Sequence, residues 1–191
     1  MPDILSLVVL VVVVALCLSL LLFQILTGVP PMSSGSAETA DVVALLKQAK
    51  LPPRAIVYEL GSGWGALVIA LARAFPDAEI RGIEASPLPY WVARWRTRRL
   101  PNVSLRRGDF HRCDLSDAHA VTCYLMMAPM PKLAALLDRM LRPGTPVVAL
   151  TFWFRERQVE AVRQGPGLRG AAALYRWPAR KGVQPDDGAA R

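Results

Sequence analysis

The fold class predicted by this sequence is a doubly wound α/β domain with a mostly parallel sheet, preceded by one N-terminal transmembrane helix. Three observations predict it. Ile4 to Leu26 is a run of 23 residues without a charge. Beyond it, short apolar stretches alternate with longer ones of helical period. Between the first such pair stand three glycines in five positions, "GSGWG".

The apolar run comes first. At 1.5 Å per residue it makes roughly 34 Å of helix, enough for a hydrocarbon core of about 30 Å. It is too long for the core of a signal peptide, and its leading "MPD" carries an acid where such a peptide needs cations. A transmembrane helix is therefore expected over residues 4–26. No Lys or Arg precedes it and all 23 follow it. The positive-inside rule then puts the remainder of the chain in the cytoplasm, as a single-pass protein suited to a bacterial inner membrane. "TGVPPMSSGSAET" has linker composition, placing a linker over residues 27–37. The main domain is expected over 38–178 and a disordered tail over 179–191.

Within the domain, "ETADVVALLKQAKL" has apolar residues at Val42, Leu45, Leu46 and Ala49, a helical spacing. "AIVYEL" reads as a buried strand and "WGALVIALARAF" as the helix after it. "AEIRGIEA" and "PLPYWVARWRTRR" repeat the pair, and "NVSLRRGD" and "AHAVTCYLMM" are strands three and four. "MPKLAALLDRML" is a helix stopped by "RPG". "TPVVALTFWF" is strand five, and "GPGLRGAAALYRWP" holds one more strand. Strands separated by helices of this length build βαβ units and a parallel sheet covered on both faces. In "YWVARWRTRR" two tryptophans stand four apart, with Arg94 and Arg98 on a neighbouring face. The expectation is that Trp91 and Trp95 pack on the sheet while the arginines are solvated; a membrane-facing aromatic and basic surface is the alternative. Trp153 is expected to pack.

The net charge of +8 suits anionic lipid or nucleic acid, or simply a solvated arginine-rich surface. Cys17, Cys113 and Cys123 show no CxxC spacing, so neither a disulfide scaffold nor a zinc site is expected. His111 and Cys113 are at most a fragment of a metal site.

The glycines Gly61, Gly63 and Gly65 follow a strand and open a helix. Bare backbone there turns sharply and approaches a ligand closely, beside the positive end of the helix dipole. "GSGWGA" also satisfies the looser dinucleotide pattern. Glu59 discriminates. A carboxylate two residues before the first glycine repels a pyrophosphate and welcomes an ammonium. S-adenosylmethionine carries an ammonium, a sulfonium and no phosphate.

"ELGSGWG" is similar to the E/D-x-G-x-G-x-G motif of class I, seven-strand methyltransferases, a Rossmann-like fold. "GIEAS" and "RRGDF" supply the acid ending strand two and the "GD" ending strand three. The resemblance implies S-adenosylmethionine as cofactor. It implies Glu59, Gly61, Gly63 and Gly65 at the methionine moiety, Glu84 on the ribose, and Asp109 with Phe110 at the adenine. The apolar anchor, "DLSDAHAVTCYLMMAPMPKL", "VVALTFWF", "GPGL" and "LYRW" together resemble a membrane-associated lysine methyltransferase family. Its mitochondrial members modify the ADP/ATP carrier and the ATP synthase c-subunit.

Methyl transfer from a sulfonium needs binding, orientation and exclusion of water, and no dedicated base once a lysine is desolvated and neutral. "YLMMAPM" sits where an acceptor enters, and Tyr124 is the candidate orienting residue, with strand-end packing its alternative. Leu125, Met126 and Met127 are expected in the core. The expected partners are the bilayer, through the N-terminal helix, and a protein substrate in or at the membrane; no nucleic acid and no metal are expected. Methylation of a lipid-soluble small molecule, a non-catalytic module binding a nucleotide-like ligand, and an NAD(P)-dependent oxidoreductase are the competing readings.

Overall fold

The computed structural model describes residues 3–27, 36–125, 127–155, 157–164 and 170–179. The chain divides into two compact units, Met1–Met32 and Ser33–Arg191. The expected linker falls mostly, and the expected tail almost wholly, on residues outside those described.

Among the described residues the first unit contains one helix, α1 (Ile4–Thr27). Asp3 starts it: its Oδ1 accepts from the Ser6 amide at 2.9 Å, an N-cap bond that satisfies a first-turn donor. The helix expected over 4–26 is therefore present. The span is a separate matter. Among the described residues no helix is long and apolar enough to cross a membrane, so the transmembrane role is not supplied by the structure.

The second unit opens with α2 (Ser36–Gln48) and continues as β1 (Ile56–Leu60), α3 (Ala66–Ala74), β2 (Glu79–Glu84), α4 (Pro87–Thr97) and β3 (Val103–Arg107). A single 3-10 turn, Phe110–Arg112, follows. Then come β4 (Ala120–Cys123), α5 (Met130–Met140), β5 (Thr145–Leu150), β6 (Ala161–Arg163) and β7 (Ala172–Trp177). The seven strands lie in the order β3-β2-β1-β4-β5-β7-β6. β1 to β5 are parallel, and β7 runs antiparallel to both β5 and β6. This is the class I methyltransferase arrangement, with the strand order reversing beside β1.

Continuous apolar runs make the central strands because both of their faces are covered. Along β1, Val57 faces a layer with α2 and α3, where Leu45, Leu46, Leu67 and Leu71 are buried. Tyr58 and Leu60 face the other layer, with Leu133, Leu136 and Leu137 of α5. The same alternation splits Ala120 from Val121 and Val148 from Val147. β3 is an edge strand, and exposed Ser104, Arg106 and Arg107 keep that edge polar.

Several sequence expectations are corrected here. Strand four ends at Cys123 and strand five at Leu150, short of the expected Met127 and Phe154. After β5 the chain leaves the ladder because Thr151 takes φ 67° and the Phe152 amide turns back to the Leu150 carbonyl. "GPGLRGAAALYRWP" contributes one strand, β7, as expected; β6, upstream of it, was not expected because three residues are too few to show a period. Trp91 and Trp95 do not pack on the sheet: they are 56% and 64% exposed. Pro89, Tyr90, Ala93 and Thr97 form the buried stripe of α4 instead. Met127 is exposed rather than core, Leu125 is buried, and Met126 lies outside the described residues. Trp153 is partly buried against the core, and its Nε1 donates to the Ala171 carbonyl.

Candidate active site

β1 delivers Glu59 and then the glycine turn at the carboxyl edge of the sheet, where strand order reverses between β1 and β4. Open α/β sheets bind their ligands at such a crevice. Gly61, Gly63 and Gly65 have φ of 77°, 50° and 80°, values that L-residues with a Cβ adopt at a cost. Space matters as well. A Cβ on Gly61 would stand 2.7 Å from Leu125 Cδ2, and one on Gly65 would stand 3.0 Å from Ala93 Cβ of α4. The first contact sets the residue after Tyr124 directly against the glycine turn.

β2 holds the turn in place. The Ile83 carbonyl accepts from the amides of Gly61 (2.9 Å) and Ser62 (3.0 Å). Glu84 accepts from the Gly63 amide through Oε2 and from the Ser86 amide through Oε1, both at 2.7 Å. Each of these oxygens retains a second lone pair for a ligand hydroxyl. Gly65 caps α3 without any side-chain bond, which leaves the positive end of that helix open to a ligand.

Glu59 is 2% exposed and its Oε2 has no hydrogen-bond partner. Burial, then the negative charge of Glu84, push its carboxyl up to about 8, while the Val68 amide pulls the other way. Ser62 Oγ, in the same turn, is also buried and without a partner. Two orphaned oxygens beside an open helix end form a cradle that lacks a donor.

The third strand contributes the next piece. The Gly108 amide donates to the Glu84 carbonyl, tying the end of β3 to the end of β2. Asp109 is exposed and its Oδ1 accepts from the His111 amide at 2.9 Å, capping the 3-10 turn. Phe110, half-buried in that turn, packs tilted on His111 with centroids 4.4 Å apart.

On the other side of the glycine turn, Tyr124 is half-buried after β4. Burial raises its hydroxyl pKa, with the Thr151 hydroxyl opposing and the Glu38 carboxylate adding to the shift. Thr151 Oγ1 is buried with no bond of ordinary geometry. The Tyr124 hydroxyl is thus near it without a well-formed bond. The left-handed backbone of β-branched Thr151 is an outlier of the kind that gathers at functional sites. Glu38, in the first turn of α2, accepts from the Gly170 amide at 3.4 Å. Sequence reasoning missed both Thr151 and Glu38. Neither lies in a motif, and the contact between Glu38 and Gly170 spans 132 positions.

A groove of about 460 Å³ lined by Lys47, Lys50, Arg54 and Phe75 sits at the opposite, amino-terminal edge of the strands. It is remote from every residue above.

The sequence model of the ANTKMT methyltransferase domain matches residues 59–161, a stretch containing Glu59, the glycine turn, Glu84, Asp109, Phe110, Tyr124 and Thr151. The chain is 31% identical over 114 residues to a protein-lysine N-methyltransferase of Saccharolobus islandicus, covering 58% of this chain and 71% of that one. It is 33% identical over 113 residues to a trans-aconitate 2-methyltransferase of Deinococcus radiodurans, covering 57% of this chain but only 41% of that one. Among solved structures, an RNA methyltransferase from Salinibacter ruber with S-adenosyl-L-homocysteine superposes with a TM-score of 0.68 at 27% identity. That match covers 81% of this chain and 98% of the other.

Proposed function

Because the chain belongs to the ANTKMT methyltransferase domain family and is an S-adenosylmethionine-dependent methyltransferase, we propose that its acceptor is the side-chain amine of a lysine, in a protein in or at a membrane. The observation that carries the lysine reading is the group around Tyr124. A tyrosine hydroxyl, a buried threonine hydroxyl and a carboxylate stand at the ends of β4, β5 and α2, beside the glycine turn. The likeness to a protein-lysine N-methyltransferase over 71% of its length supports it.

The cofactor supplies an activated methyl group on a sulfonium; the rest falls to the chain. Glu59, with its orphaned oxygen, receives the cofactor's ammonium. Gly61, Gly63 and Gly65 let the backbone approach it, and Ser62 Oγ gains a partner. Glu84 takes the ribose hydroxyls while still holding the amides of Gly63 and Ser86. Asp109 and Phe110 flank the adenine. Glu38 draws a lysine ammonium to the mouth. Removal from water favours its neutral form, and Tyr124 orients the lone pair for an in-line approach.

α1 is the proposed membrane anchor, with the second unit in the cytoplasm of a bacterial cell. Its 24 residues carry no charge, which suits contact with lipid. RNA is a second reading, favoured by the match to nearly all of the Salinibacter ruber enzyme.

The test is transfer of methyl label from S-adenosylmethionine into membranes carrying the full chain. Label in protein that hydrolysis returns as methyl-lysine is the expected result. Label in solvent-extractable lipid or in RNA would replace the lysine reading with that acceptor. Cofactor binding without transfer to any of these fractions would place the acceptor outside all three and overturn the lysine reading.

A further inference from the structure

Residues 86–108, which contain α4 and β3, carry six arginines (Arg94, Arg96, Arg98, Arg99, Arg106 and Arg107) and no acid. All six are exposed. Two tryptophans stand among them, Trp91 and Trp95, one helical turn apart and more than half exposed. Large indole surface left in water on neighbouring positions is uncommon in a globular domain and marks an interaction site. The packing of α4 explains how they come to be outside: the small or compact Pro89, Ala93 and Thr97, with Tyr90, fill the space against the sheet.

We propose that this face of α4, with the β3 edge beside it, docks on an anionic lipid surface. The indole ring is the side chain that favours the bilayer–water interface, with its apolar body inward and its N–H among the headgroups. Guanidinium groups next to it meet lipid phosphates, and a stretch with six arginines and no acid among them matches a negatively charged leaflet. The arginines are also coupled to the rings. Arg94 lies over Trp91, 5.5 Å from its centroid, and Arg98 lies over Trp95 at 4.4 Å. That stacking shields the cations as they enter a less polar medium. It also occupies the position a nucleic-acid base would take on those rings, which favours lipid over RNA. α4 begins three residues after Glu84, so a docked helix holds the proposed cofactor edge of the sheet close to the headgroup plane. The inference deepens the membrane reading of the function but uses none of the residues of α1.

The experiment uses the full chain with vesicles of phosphatidylcholine, with and without phosphatidylglycerol, whose acyl chains are brominated to quench indole fluorescence. Flotation of protein with both kinds of vesicle reports the α1 anchor; quenching that needs phosphatidylglycerol reports α4. The expected result is quenching that is lost at high salt and abolished by the double substitution Trp91→Phe, Trp95→Phe. Arg94→Gln with Arg98→Gln should weaken its dependence on phosphatidylglycerol by about tenfold. Unchanged circular dichroism and unchanged S-adenosylmethionine affinity establish that these variants are folded. Flotation with no phosphatidylglycerol-dependent quenching, or quenching that survives the double Phe variant, overturns the proposal and leaves the anchor standing. Loss of flotation from phosphatidylcholine vesicles overturns the anchor, while quenching with phosphatidylglycerol still supports docking through α4. A single-stranded RNA that perturbs Trp91 and Trp95 when vesicles do not would assign the face to nucleic acid and overturn it.

Discussion

Replacing Glu59 by Gln isolates one buried proton. In the ligand-free protein the Glu59 carboxyl is held up to about 8 against an ordinary value of 4.5, by burial first and by Glu84 second. The folded state therefore keeps a proton that the unfolded chain has already lost, over the window from 4.5 to about 8. With fewer protons on the unfolded state, stability falls as pH rises through that window. The contribution is fully present below 4.5 and lost by the time the folded carboxyl ionises. Integrated between pH 5 and pH 8, the loss is on the order of 3 kcal/mol. Gln keeps the shape of the neutral acid and has no proton to lose, so the variant lacks this component. Denaturant unfolding of wild type and variant at both pH values measures it. Every other titration is shared, so the wild type should lose about 3 kcal/mol more than Glu59→Gln on going from pH 5 to pH 8. Parallel losses would refute the argument, because they would mean that Glu59 is ionised or solvated in the folded chain.

Glu84→Ala removes the acceptor for the Gly63 and Ser86 amides as well as the proposed ribose partner. Calorimetric S-adenosylmethionine affinity should fall by the equivalent of about 1.5–3 kcal/mol; unchanged affinity would displace the site. Gly61→Ala forces a Cβ into a left-handed position and against Leu125, costing on the order of 1–2 kcal/mol of stability. In thermal melts Leu125→Ala should restore only the steric part of that loss. Tyr124→Phe should leave cofactor affinity intact and lower kcat by roughly tenfold, the scale of one lost hydrogen bond. A fall in cofactor affinity without a fall in kcat would make Tyr124 a packing residue.

The central sheet was readable because β1, β4 and β5 are buried on both faces, which calls for mostly apolar runs. The same signal hid where those strands stop. Phe152 and Phe154 remain packed on the core after the chain leaves the ladder, so hydrophobicity continues past the last paired residue, Leu150. No pattern announces that Thr151 turns left-handed. The tryptophans of α4 misled for a related reason. Size and apolarity argued for burial, whereas Ala93 and Thr97 supply the closer fit to the strands. In the candidate site, the ligand roles of Glu59 and Glu84 are proposals; the left-handed glycine turn after β1 was legible because a strand-to-helix turn demands those residue types in that order. Glu38 and Thr151 were not, because their relation to Tyr124 arises when α2 and β5 meet in space.

The two amides that share the Ile83 carbonyl, and the two that share the Glu84 carboxylate, bear on kinetics as well as on shape. A turn bonded to the next strand at three successive amides has no hinge of its own. Its exchange with solvent hydrogen follows the opening of the β1–β2 pair, which is a sub-global event rather than a loop fluctuation. A cofactor bound there as proposed would meet a finished surface: its on-rate would report diffusion and desolvation of the cradle, with little binding energy spent ordering backbone.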